Sequence, residues 1–145
     1  MKLIFVTSLL VILGINANAQ YLDFNGFTIQ ATTILYIEDD EPNIVNTDEV
    51  FIASFSDKFF THLIYSDGSI DNSQIYLMEN DTRFIKEGNT IYKFDAISGT
   101  SGLRYYYELK IDSEGRLSSL KLTQPDEEDF VIYKGSISEL NTFKQ

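Results

Sequence analysis

The single histidine, His62, limits the chemistry open to this chain. With one imidazole and no cysteine, neither a His-rich nor a Cys-rich metal site can be assembled, and no metal or other cofactor is expected. A Ser-His-Asp triad would have to use His62. That residue lies between Thr61 and Leu63, in step with Phe60 and Ile64, and no Gly-x-Ser-x-Gly sequence occurs to support a nucleophile. A structural histidine is the simpler reading. Carboxylates are plentiful, 22 Asp and Glu in all, so a glycosidase-like acid pair is available by inventory. Spacing marks no two of them as a pair. Glu108 is flanked by Arg104 and Lys110 on one strand face and reads as part of an ion network. No catalytic residue is assigned.

Asp39, Asp40 and Glu41, and again Asp126 to Asp129, offer oxygen atoms of the kind Ca²⁺ takes, but acidic runs beside turn formers read as solvated turns. Asp112-Ser113-Glu114-Gly115 is a fragment of a Ca²⁺ loop without the distal Glu. Ser98-Gly99-Thr100-Ser101-Gly102 has neither a Lys-Ser/Thr pair nor a following helix, so it reads as a hairpin loop and not a phosphate cradle. Asn80-Asp81-Thr82 is a glycosylation sequon, meaningful in a eukaryotic secretory pathway.

Tyr106 is the most informative single side chain. It shares a polar strand face with Arg104, Glu108 and Lys110, while Tyr105 and Tyr107 take the other parity. An aromatic ring among charges can stack a sugar or anchor a protein. Arg104 and Tyr106 are therefore candidate ligand contacts on the outside, with Tyr92 and Phe94 as candidates for lining an interior.

The elements that position these residues are strands. Leu103, Tyr105, Tyr107, Leu109 and Ile111 alternate with polar neighbours, the period of a half-buried strand. Ser113, Glu114 and Gly115 form a three-residue loop that pairs Asp112 with Arg116. Leu117, Leu120 and Leu122 return, but their parity switches, so the spacing predicts a β-bulge at Ser118–Ser119. Phe27 to Ile37 keeps odd parity as a long first strand, and the charged segment from Glu38 to about Glu49 reads as the longest surface loop.

Val50 to Phe55 and Phe59 to Tyr65 form a tight hairpin or one kinked strand around Ser56-Asp57-Lys58. Phe59 to Tyr65 and Ile75 to Met78 carry apolar groups on both parities, so something must cover the sheet from outside. Asn80-Asp81-Thr82 reads as a turn. Ser136-x-x-Glu139 has the form of a capping box and predicts a short C-terminal helix with Ile137 and Leu140 on one face, or else a frayed tail. The sum is an all-β, antiparallel up-and-down meander of about eight strands, closed into a barrel or folded into a two-layer sandwich. Lipocalin-like barrels share this strand count. The Trp of their Gly-x-Trp is missing where Asn25-Gly26-Phe27 stands, so the motifs identify no family.

Residues 1–19 have the parts of a signal peptide: Lys2, the apolar run Leu3 to Ile15, and Ala17-Asn18-Ala19 as cleavage site. Cleavage after Ala19 would leave residues 20–145 as a single β-domain, secreted or periplasmic, with no membrane span after processing. The net charge of −11 argues against nucleic acid and anionic membranes as partners. These features favour a non-catalytic binding module for a small molecule or protein. The alternatives are a carboxylate-dependent hydrolase and a structural envelope or matrix component.

Overall fold

The structure is a computed structural model and describes residues 25–125 and 130–140. The signal-peptide segment, its cleavage site and the acidic run Asp126 to Asp129 lie outside the described residues. The strands are β1 (Gly26–Glu38), β2 (Glu41–Ser54), β3 (Phe59–Ser66), β4 (Ser69–Lys86), β5 (Asn89–Ser98), β6 (Arg104–Ile111), β7 (Leu117–Thr123) and β8 (Phe130–Glu139). Each pairs antiparallel with the next, and β8 pairs with β1, closing an eight-stranded meander barrel.

Alternation decides which side chains enter the barrel. Phe27, Ile29 and Ala31 of β1, Phe51 and Ala53 of β2, and Phe60 of β3 point inward and are buried. So do Tyr76 and Met78 of β4, and Tyr92, Phe94 and Ala96 of β5. Tyr107, Leu109 and Ile111 of β6, Leu120 and Leu122 of β7, and Tyr133 of β8 complete the ring. The interior is aromatic and packed ring on ring. Phe94 stacks on Tyr107 at 5.4 Å, Phe60 meets Tyr107 at 4.6 Å, and Phe27 sets its edge to Tyr92 at 5.0 Å. Each such side chain contributes about 1.5–3 kcal/mol on burial.

The central hairpin folds as its pattern predicts. The Asp112 amide donates to the Arg116 carbonyl at 2.9 Å, and Gly115 takes the left-handed conformation at φ 79°. Ile111 pairs with Leu117 and Lys110 with Ser119, so Ser118 is the extra residue, and Leu109 meets Leu120. Leu103 alone departs from the reading: it lies before β6 and is exposed.

Four expectations are corrected. The segment Glu41–Asp48 is not a loop but the first part of β2, joined to β1 by the turn Asp39-Asp40, both at positive φ. Odd parity fails in β1 because the register shifts between Ala31 and Thr33, which turns Ile34 toward the core and leaves Ile37 exposed. Asn80-Asp81-Thr82 is a bulge inside β4, not a turn between strands.

The predicted C-terminal helix is a strand. Ser136, Ile137 and Ser138 continue β8, and Ile137 pairs with Ile29. The open edge of β1 supplies a ladder of backbone partners that outweighs a capping box. Gly135 makes the approach possible, since a Cβ there would lie 1.9 Å from the Gln30 carbonyl oxygen. Residues 141–145, which the predicted helix would have reached, lie outside the described residues.

Candidate functional site

The outward faces of β3, β4 and β5 carry the two-sided pattern to its consequence. Phe59 pairs with Leu77, Leu77 with Ile97, and Thr61 with Ile75, all side by side on the outer wall. Ile75 is 67% exposed and Leu77 54%, and Leu103 beyond β5 is 52% exposed. No helix lies over them among the described residues. The covering layer that the sequence called for is not part of the described chain.

Two candidate residues stand at the margin of this wall. Arg104 is the cross-strand neighbour of Ile97, and its guanidinium reaches Asp95 at 2.6 Å and Glu79 at 3.0 Å. Hydrogen bonds that it donates to Asp95 and then to Glu79 hold its pKa above the ordinary arginine value. Glu79 and Asp95 are themselves cross-strand partners, so the carboxylate pair that lies side by side here is bound to one cation. An acid pair so held is poorly placed to donate and accept protons. Tyr106 sits opposite Asp95 and Thr123, half exposed, in a groove of about 250 Å³ on the outer wall. Lys93 faces Glu108 across this groove at 3.5 Å. That ion network was readable from the alternation of charge, although Glu108 takes Lys93 as its partner.

Tyr92 and Phe94, the other two candidates, belong to the core at 1% and 3% exposure. Tyr92 packs on Phe27 and Phe55, and Phe94 packs on Phe60, Phe55 and Tyr107. The side chains that line the interior here also fill it. Tyr92 does border a groove of about 230 Å³ at the end of the barrel where Ser56, Lys58 and Arg83 gather.

The interior is polarised along its axis. Apolar rings occupy the end near the β2–β3 and β6–β7 turns. Toward the opposite end, Glu49 and His62 enter the barrel and are buried. His62 Nε2 lies 3.3 Å from Glu49 Oε2, close enough for an ion pair but without hydrogen-bond alignment. Phe51 stacks on the imidazole at 4.2 Å. The Tyr133 hydroxyl donates to the Glu49 carboxylate, and burial followed by the Glu49 charge raises the Tyr133 pKa. Burial likewise pushes Tyr107 well above the usual phenol range. Tyr76 is raised by burial and by neighbouring Tyr105, and its hydroxyl bonds to Gln74. Glu49 is not among the residues that composition and motif single out. The signal was present: it shares parity with Phe51 and Ala53, so a carboxylate had to enter the core. Among the described residues no group of three or more His, Cys, Asp or Glu is placed to hold a metal.

Comparison with known protein families, curated proteins and solved structures finds no match, so the geometry carries the functional argument.

Proposed function

We propose that this protein is a non-catalytic binding domain, exported after loss of residues 1–19, whose partner is another protein docked on the outer wall of β3, β4 and β5. The observation that carries the reading is the exposed apolar row of Ile75 and Leu77, flanked by Phe59, Ile97 and Leu103. Contiguous exposed apolar surface of this kind marks interaction sites. Its margin has the composition of an interface rim, with Arg104 and Tyr106 beside the charges of Glu79 and Asp95. Filling of the interior around Tyr92 and Phe94 favours an outside surface over a lumen for recognition.

The test is native mass spectrometry of the protein purified from its source. The wild type is expected to carry a protein in fixed stoichiometry, and the Ile75→Lys/Leu77→Lys variant to emerge bare while keeping its fold. A wild type that retains a small molecule and no protein would overturn the reading.

A further inference from the structure

The β1–β2 hairpin reaches further than the strands beside it. β2 pairs with β1 from Glu41 onward, but β3 joins it only at Glu49, where Glu49 meets Ile64. Glu41 to Asp48 therefore has a strand on one side and none of the described strands on the other. Ile44 is 71% exposed, Val45 40%, and Ile37 of the paired strand 50%.

The turn fixes which backbone groups face outward. Glu38 pairs with Glu41 across the Asp39-Asp40 turn, so these residues exchange hydrogen bonds with each other. Alternation then aims the backbone of Asn43 and Val45 at β1, and that of Ile44 and Asn46 at the open side. Pro42, which has no N–H, falls in the outward set and sets the limit of any added ladder.

Charge selects the occupant. Every charged side chain of the hairpin is acidic: Glu38, Asp39, Asp40, Glu41, Asp48 and the buried Glu49. No Lys or Arg occurs between Lys2 and Lys58. A second copy of this chain is a poor fit. Antiparallel pairing of two copies about Ile44 would set Asp40 of one against Asp48 of the other, and like charges directly opposite destabilise a pair.

We infer that the open edge of β2, centred on Ile44 and Asn46, accepts an extended segment of a partner protein that carries apolar residues at alternate positions and Lys or Arg at its ends. Backbone hydrogen bonds supply affinity in such strand addition, and the flanking charges supply selectivity. This edge is separate from the apolar wall of β3–β5, and the inference stands whether or not that wall has a partner.

The probe is a synthetic peptide of alternating Val and Thr with Lys at both ends, compared with the same peptide ending in Glu. Amide hydrogen exchange and NMR shifts are read on the full-length chain. The Lys-ended peptide is expected to slow exchange at Ile44 and Asn46 and leave Ile75 and Leu77 unchanged. Ile44→Pro removes an outward donor without touching the β1 ladder, and binding is expected to weaken roughly tenfold with thermal stability kept. Unchanged exchange at Ile44 and Asn46 would overturn the inference. So would equal binding of the Glu-ended peptide, undiminished binding by Ile44→Pro, or a homodimer that protects the same amides.

Discussion

Replacing His62 with Phe keeps a ring on Phe51 but leaves the Glu49 carboxylate without its imidazole neighbour. Both side chains are about nine-tenths buried, at 10% and 9% exposure. Removing one member of a buried pair costs about 3 kcal/mol, because the other charge stays desolvated. With a urea dependence of about 1.5 kcal/mol per molar for a domain of this size, the unfolding midpoint of His62→Phe falls by about 2 M. Glu49→Leu removes the carboxylate beside His62 Nε2 and strands the Tyr133 hydroxyl, a loss of about 2 kcal/mol. If the two residues acted independently, the double variant would lose about 5 kcal/mol. The pair is expected to be coupled, so the double variant, in which the Tyr133 hydroxyl alone has lost its partner, stays within about 2 kcal/mol of wild type. Urea unfolding of all four proteins, monitored by near-ultraviolet circular dichroism, closes the cycle. Additive losses, or single variants within about 0.5 kcal/mol of wild type, would show that Glu49 and His62 do not form one buried unit.

Alkaline titration tests the buried phenols. Burial raises the pKa values of Tyr76, Tyr107 and Tyr133 above the ordinary phenol value of 10.0. A raised folded-state value means their contribution is fully present below pH 10.0 and is lost as pH climbs from there toward the folded values. Tyrosinate absorbance is expected to rise cooperatively with unfolding above that point; free titration of all three in the folded protein would contradict the burial. Gly135→Ala drives a Cβ to 1.9 Å from the Gln30 carbonyl oxygen. It should cost about 3 kcal/mol in calorimetry, and a neutral result would mean that β8 does not close on β1 here. Gly115→Ala places a side chain at φ 79°. A loss of about 1 kcal/mol is expected, and no loss would question the turn.

The parts of the fold that could be read ahead were those where apolar parity and turn chemistry agree. The leucines of β7 forced a bulge near Ser118 because only one extra residue brings Leu109 opposite Leu120, and the register follows that demand. Parity was silent on Glu41–Asp48, a polar stretch that becomes strand because β1 offers it a ladder; tertiary pairing made the choice, not local propensity. The end of β8 departs from its local pattern for a related reason. A capping box is local, whereas the need to close β1 is not, and the alternation of Ser136, Ile137 and Ser138 is too short to announce itself. The site divides in the same way. Arg104 and Tyr106 were placed on the outer face by alternation alone. Tyr92 and Phe94 take the inward parity, but the rings packed on them come from β1, the β2–β3 turn, β3 and β6, so packing could not be foreseen from β5.

The absence of cysteine allows the outer wall to be probed one position at a time. Leu77→Cys, and Ser138→Cys on β8 as reference, are labelled with a maleimide both in the purified protein and in the protein's native surroundings. Both thiols should react quickly when purified, and in native surroundings Leu77→Cys should slow by about tenfold or more while Ser138→Cys does not. Equal reactivity of Leu77→Cys in the two settings would mean that nothing docks on the wall.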